Sequence, residues 1–424
     1  MKTTADKLNH LINTKEGIRQ ELNRAYETEE ISISDTFNSY IQKLEEHPYY
    51  IMRYIERSIE NIKVSNALSI GEFAFYGCSS LTSVSFPNVT SIGDYAFNSC
   101  SNLTSVSFPL ATSTGVYAFG SCSSLTEVSF PVATSVGTGA FQSCSNLTEA
   151  SFPLVTSIGQ EAFYECSALT SVSFPLVTSI GNSAFNGCSS LTSVSFPVAT
   201  STGSRAFSGC SSLTSVSFPN ATSIGIAAFE NCSGLTEVSF PNVTSINSNA
   251  FWGCSSLTEV PIPNATSIGN SAFNGCSSLT SVSFPNVTSI GSSEFYECSA
   301  LTSVSIPNAT SIGDYAFQNC SSLTEVSFPL VTSIGSATFE NCSGLTNVSF
   351  PKATSIGYGT FRGCSSLTTI YVGTDTSTIC TLSSTNAFDN CTNLTNIYVP
   401  SSLVDRYKSA TNWSRFASKI KATS

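Results

Sequence analysis

The constraint that dominates this chain is a period. Cysteines stand at Cys78, Cys100, Cys122, Cys144, Cys166, Cys188, Cys210, Cys232, Cys254, Cys276, Cys298, Cys320, Cys342 and Cys364, each 22 residues after the last. The stretch TSIGNSAFNGCSSLTSVSFP at 178–197 recurs letter for letter at 266–285, four periods later. A fixed period of this length predicts a solenoid, in which each unit buries its apolar face only against its neighbours. The 424 residues are therefore not to be divided into two or three globular domains.

One unit, Ser91 to Thr112, shows the local logic. Leu103, Val106 and Phe108 form an L-x-x-V-x-F pattern, with Val106 and Phe108 alternating with Ser105 and Ser107. Period 2 puts Val and Phe on one face and Ser on the other. That predicts a short strand, stacked in parallel on its counterparts about 4.8 Å away. Pro109 removes a backbone donor where the strand ends. Upstream, Ala96, Phe97 and Cys100 stand at i, i+1 and i+4, the spacing of one helical turn with an inward face. Gly93 recurs in every full unit but one, where Asn247 replaces it. Asn is the non-Gly residue that best tolerates positive φ, so the exception predicts a left-handed corner.

The pattern L-x-x-V-x-F followed by P-x-V/A-x-x-I-G-x-x-A-F-x-x-C resembles the leucine-rich repeat of BspA-type bacterial proteins, over about residues 67–400. The resemblance implies a repeat solenoid of α+β class, right-handed, with one parallel β-sheet and short helical turns. It also implies molecular recognition rather than catalysis. Where many other leucine-rich repeats carry a hydrogen-bonded Asn ladder, this chain has Val89, Ala111, Ala133 and Val155.

The ends differ from the repeats, and the chain reads as three parts: an all-α N-terminal module at 1–64, the solenoid at 65–400 and a C-terminal cap at 401–424. Leu8, Leu11, Ile12, Ile18 and Leu22 make one helical stripe, and Phe37, Tyr40, Ile41 and Leu44 a second. Pro48 opens a third, carrying Ile51, Tyr54, Ile55 and Ile62. The stretches TTADKLNHLINTKEGIRQEL and ISDTFNSYIQKL resemble the short leader of tailed-phage and prophage structural proteins. That likeness implies docking of the module to a structural protein; the alternative is that it is another cap. IYVPSSLVDRYKSATNWSRFASKIKA resembles the C-terminal cap of similar repeat proteins, with Trp413 and Phe416 expected to cover the last coil. No apolar run has the length of a bilayer span or the form of a secretion signal. The expected location is a virion, or the cytoplasm before assembly; the alternative is the bacterial cell surface by a non-Sec route.

Charge narrows the partners. Between residues 67 and 400 stand Arg205, Lys352 and Arg362 against 16 acidic residues. Such a surface repels a nucleic-acid backbone and an anionic membrane alike. Both histidines, His10 and His47, lie outside the repeats, and there is no phosphate loop or dinucleotide fingerprint. Neither enzymatic activity nor a cofactor or metal is expected. For the cysteines three readings compete: a row of small buried hydrophobes, occasional disulfides between neighbouring units, or a metal site. A one-dimensional row of parallel thiols gives each Cys a neighbour on both sides and closes no tetrahedron, which favours the first. Recurrent N-V-T and N-A-T sequons belong to the repeat consensus.

Two sets of residues are candidates for binding. Glu127, Glu149, Glu237, Glu259 and Glu325 share an outward strand column, where adjacent carboxylates suit a dyad or a weak cation site, or simply keep the sheet soluble. Interface hot spots favour Trp, Tyr and Arg, and these fall on the turns: Tyr95, Tyr117, Tyr164, Arg205, Trp252, Tyr296, Tyr315, Tyr358 and Arg362. The expected function is non-catalytic recognition or adhesion, with a protein or cell-surface glycan as partner. It belongs either to a phage or prophage tail-associated protein or, alternatively, to a BspA-like adhesin of the bacterial surface.

Overall fold

A computed structural model describes residues 60–65 and 67–423. The chain divides into two compact units, Met1–Val177 with Ala184–Ser190, and Thr178–Ser183 with Leu191–Ser424. The same repeat builds both. Its backbone passes through three successive sets of hydrogen bonds to the adjoining repeat.

The first set is the expected strand. In the first unit Asn61–Lys63, Ser83–Ser85 and Ser105–Ser107 pair in parallel, as do Glu127–Ser129, Glu149–Ser151 and Ser171–Ser173. In the second unit Ser193–Ser195, Ser215–Ser217 and Glu237–Ser239 pair in the same way. Every step joins a residue to its counterpart 22 positions on, as Val194 to Val216. The central valines Val84, Val128 and Val216 are buried and the flanking residues face out. No strand forms at Glu259, because Pro261 occupies a ladder position without an N–H to donate.

The all-α module expected over 1–64 falls almost wholly outside the described residues. Where it can be compared it is corrected: Ile62, assigned to a third helix, lies in strand Asn61–Lys63 and pairs with Val84. Asn61–Val64 matches the S-V-S-F of later repeats, and a register fixed by the neighbouring coil overrides a local helical pattern.

A second ladder of two-residue strands runs through the Ser-Ile pairs, such as Ser69–Ile70 with Ser91–Ile92 and Ser245–Ile246 with Ser267–Ile268. The repeat thus carries two parallel ladders instead of the single sheet implied by resemblance. Two threonine columns reinforce the stack, for the Oγ1 of Thr104 donates to the Thr82 carbonyl at 2.9 Å and that of Thr112 to Thr90 at 3.1 Å.

The third set replaces the expected helical turn. Within one repeat Ala96, Asn98 and Cys100 donate N–H groups to Gly93, Tyr95 and Phe97, each three residues back. The alternate N–H groups of Tyr95, Phe97 and Ser99 instead reach Val116, Ala118 and Gly120 of the next repeat at 2.7–2.8 Å. An α-helix bonds each N–H to the carbonyl four back, so sharing donors with a neighbour excludes it. Left-handed residues close these turns: Tyr95 has φ 54° and Ser99 φ 63°, at the third position of a type II turn. Among the described residues, α-helix is confined to Val404–Ser409, beside three short 3-10 segments at 385–388, 401–403 and 414–419. The repeats are a parallel-strand solenoid with little helix.

The recurring glycine needs a different explanation from the one its Asn exception predicts. Gly93 and its counterparts are not left-handed; the left-handed residues stand two and six positions later. Their requirement is close approach. A Cβ on Gly335 would lie 2.5 Å from the Gly313 carbonyl carbon and 2.6 Å from the Asp314 nitrogen. Asn247 shows the effect of a side chain there, since its N–H meets the Ile224 carbonyl at 3.2 Å where Gly269 and Gly335 achieve 2.8 and 2.9 Å.

The core is two aromatic columns and a thiol column. Phe75, Phe97, Phe119, Phe141 and Phe163 are fully buried and stack face on face at 5.0–5.4 Å. The strand phenylalanines, Phe108 among them, lean on this column at a tilt, Phe97 to Phe108 at 5.7 Å and 54°. Each such pair adds about 0.5–1.5 kcal/mol beyond its buried area. All sixteen cysteines are buried, and none is joined in a disulfide. In the repeats the Sγ atoms donate to the phenylalanine carbonyl of the preceding repeat, as Cys122 to Phe97 at 3.1 Å and Cys254 to Phe229 at 3.1 Å, whereas Cys380, off the period, turns to the Thr381 carbonyl. Phe97 also accepts the Cys100 N–H, so both lone pairs of one buried carbonyl are filled. Burial pushes the Cys144, Cys166 and Cys232 thiols well up and that of Cys391 to about 12, which keeps them protonated as donors. They supply ladder bonds that Val89, Ala111, Ala133 and Val155, all buried, cannot make.

The chain ends on bulky side chains. Trp413 and Phe416 pack on Phe388 at 6.1 and 5.1 Å, and the Trp413 Nε1 donates to the Cys380 carbonyl at 2.7 Å.

Two stability measurements check this packing. Phe207, stacked on Phe229 at 5.4 Å, should cost about 3–5 kcal/mol on substitution by Ala, read from urea unfolding. Gly335→Ala should destabilise by about 1–3 kcal/mol, through the forced displacement of the Gly313 backbone, whereas Ser336→Ala should leave the midpoint near that of the parent.

Candidate binding surfaces

The turn edge presents two outward columns. Tyr117 and Arg205 belong to the left-handed column, with φ 51° and 54°. Tyr164, Trp252 and Tyr296 stand three positions further along their repeats. Tyr117 and Tyr164 in the first unit, and Arg205 against Trp252 and Tyr296 in the second, thus fall on two different columns.

In the first unit Phe73, Tyr95 and Tyr117 stack at 4.9 and 5.3 Å. Beyond Tyr117 the column holds Gly139, with φ 59°, where a Cβ would collide with the tyrosine ring. The ring leans over this gap, and its hydroxyl reaches Glu161 Oε2 at 3.3 Å, two repeats away. Burial and then Glu161 hold the Tyr117 hydroxyl above its ordinary range, and Glu165 does the same for Tyr164.

In the second unit Trp252 is 38% exposed and shares its column with Glu230, Asn274, Tyr296, Gln318, Glu340 and Arg362. Glu340 is buried between its neighbours: Gln318 Nε2 donates to its Oε2 at 2.8 Å, and Arg362 pairs with its Oε1. Arg205 is exposed on the other column.

The strand-column glutamates are outward, as their alternation predicts. Glu127 and Glu149 face each other across adjacent strands. Glu237 and Glu325 are exposed strand residues, and Glu259 is exposed on the strandless repeat. Among the described residues no group of three or more His, Cys, Asp or Glu is placed to hold a metal ion. The asparagines of the N-V-T and N-A-T triplets form a surface ladder, with Asn242, Asn264 and Asn308 donating Nδ2 to the proline carbonyl of the preceding repeat at 2.7–2.8 Å.

The strand face also carries residues that neither candidate set includes. At the last repeats the second outward serine becomes tyrosine, in the register Ser349, Tyr371, Tyr398. The two rings stack at 4.9 Å and 15°, and Tyr371 is 39% exposed. Beside Tyr371 lies an open cavity of about 360 Å³ lined by Glu325, Ser327, Asn347, Ser349 and Tyr371, with Val304, Val326 and Val348. The substitution of TTIYV for TSVSF is its sequence signal.

One buried titratable group stands apart. Glu294 occupies the column held by Ala96 and Ala316 in other repeats and is wholly buried. Its Oε2 accepts the Gly291 N–H at 2.6 Å, while Oε1 has no hydrogen-bond partner. Desolvation raises its carboxyl well above the usual range, against the opposing Gly291 bond. A raised folded pKa favours the protonated form, so the folded state holds a proton that the unfolded chain gives up above about pH 4.3. Stability should thus fall as pH rises from there, by up to about 1.4 kcal/mol per unit for one proton, until the folded carboxyl ionises. Unfolding curves at successive pH values should show this slope, and Glu294→Ala should remove it.

Comparison with known proteins places this geometry. A family model described as BspA type leucine rich repeat region matches residues 50–170, 156–280, 200–324, 244–368 and 310–412. No curated protein matches the chain. Among solved structures, a leucine-rich repeat protein from Bacteroides ovatus is similar, with 26% identity, a TM-score of 0.61 and coverage of 86% of this chain and 92% of its own. A leucine rich cell surface protein from Faecalibacterium prausnitzii aligns with 23% identity and a TM-score of 0.32, over 86% of this chain and 88% of its own. The family match spans most of the sequence and begins upstream of the expected solenoid boundary at residue 65: the chain belongs to the BspA-type leucine-rich repeat family.

Proposed function

We propose that this chain is a non-catalytic binding module acting in adhesion at a cell surface, in the manner of BspA-like proteins, and that it recognises a protein or glycan through the outward positions of its repeats. The observation that carries this reading is the division within each repeat. Inward positions scarcely change, Phe97, Cys100, Leu103 and their counterparts being buried throughout. The outward turn column of the second unit instead runs Glu230, Trp252, Asn274, Tyr296, Gln318, Glu340, Arg362. A constant frame carrying a changing row of side chains is how repeat proteins build a specific surface. The excess of acid over base in the repeats favours a neutral or basic partner. The alternative of a tail-associated protein draws on residues 1–44, which lie outside the described residues, and on no relative; the adhesin reading is the better supported.

The test is a screen of the full chain against glycans and intact cells, with two variant sets. Changing Trp252, Tyr296 and Arg205 together to Ser should weaken saturable binding about tenfold or more, as the loss of hot-spot side chains does. Changing Glu127, Glu149, Glu237 and Glu259 to Gln should leave it within about twofold, as expected for exposed charges. Weakening by the Glu set alone would move the site to the strand face, and no saturable binding in any arm would overturn the proposal.

A further inference from the structure

We infer that the strand face at Tyr371 is a subsite for the ring of a neutral saccharide. The inference rests on the chain being a binding module and adds a ligand class and a location. Tyr398 covers one face of the Tyr371 ring at 4.9 Å. On the other side the column drops to Ser349 and Ser327, too short to cover the second face, which therefore forms a wall of the cavity. A ligand ring seated over Ser349 takes the rung that a third tyrosine would occupy, at the contact distance of about 3.5–4 Å between ring atoms.

The rest of the cavity selects the kind of ring. Asn347 Nδ2 donates to Glu325 Oε1 at 3.3 Å, which orients the carboxylate and leaves Oε2 open to a hydroxyl donor. The hydroxyls of Ser327 and Ser349 and the Asn347 Oδ1 complete a rim of donors and acceptors. A purely aromatic ligand would satisfy the tyrosine and strip water from this rim without replacing its hydrogen bonds. An anionic ligand would meet the Glu325 carboxylate. A pyranose has an apolar face of C–H bonds for the ring and a border of hydroxyls for the rim, and only this combination uses both halves of the cavity.

The experiment titrates the full chain with lactose, cellotriose, chitotriose and glucuronic acid, following tyrosine fluorescence and ligand saturation-transfer NMR. At least one neutral sugar should saturate, and glucuronic acid should not. Tyr371→Ser, which restores the consensus serine and leaves the core untouched, should cut affinity at least tenfold, with the unfolding midpoint lowered only by the lost contact to Tyr398. Glu325→Gln should weaken it severalfold, while Ser195→Ala, on a strand that does not line the cavity, should bind the sugar like the parent. Saturation by none of the neutral sugars, or unaltered binding by Tyr371→Ser, would overturn the subsite. Cell binding by the Tyr371→Ser variant separates the two proposals: adhesion retained with sugar binding lost leaves both standing. Sugar binding present in a chain that adheres to nothing removes the adhesion reading alone.

Discussion

Everything in this structure depends on the export of backbone hydrogen bonds to the adjoining repeat at a constant offset. Tyr95, Phe97 and Ser99 satisfy their N–H groups on Val116, Ala118 and Gly120, and the strands and Ser-Ile pairs do the same in parallel register. Buried backbone groups left unpaired are expensive, so an insertion in any one coil would unpair three ladders at once. This accounts for fourteen cysteines in strict register. It also accounts for where the first break falls: the extra five residues between Cys364 and Cys391 come next to the bulky cover of Tyr407 and Trp413, whose hydroxyl and indole groups bond the Cys380 backbone.

The same export explains the unusual composition of the core. A thiol is a weak donor, yet at this position it meets a phenylalanine carbonyl already bonded to one N–H and fills its second lone pair. A serine hydroxyl there would be a stronger donor but would lose the apolar contacts that make Cys one of the most buried residue types. Glu294 is the counterexample within the core, a carboxyl with one oxygen bonded and one orphaned. Thr338 and Thr360, in the same column, each share one hydroxyl proton between two carbonyls and leave no orphaned oxygen.

Because the frame is spoken for, specificity is left to outward positions, and these come in two kinds. On the turn edge, single side chains vary from coil to coil, with Glu340 tied down by Gln318 and Arg362 and Trp252 left open. On the strand face the second outward column is small, serine in nearly every coil from Ser85 to Ser349, until Tyr371 and Tyr398, where a step from small to large exposes a ring face. Such steps are where a repetitive surface acquires a direction and a place.

The sequence by itself determined the stack, the inward columns and the outward face of the strand, because period 22 and period 2 are local patterns that any chain must satisfy to bury Phe97, Val84 and Leu103. It determined the family for the same reason. What only the tertiary structure decided are relations between coils. The left-handed residues proved to be Tyr95 and Ser99 instead of Gly93, although the Gly or Asn that precedes Cys in most repeats was a visible sign of the second. Gly93 serves the backbone of the previous coil, Cys122 the carbonyl of Phe97, and Ile62 a strand register set by Val84; none of these partners is near in sequence. The candidate site was legible only as a set of residue types. Whether Tyr117 has a ring on both sides, and whether Tyr371 has a free face, depends on which side chain stands 22 residues away, and on whether it is long enough to reach.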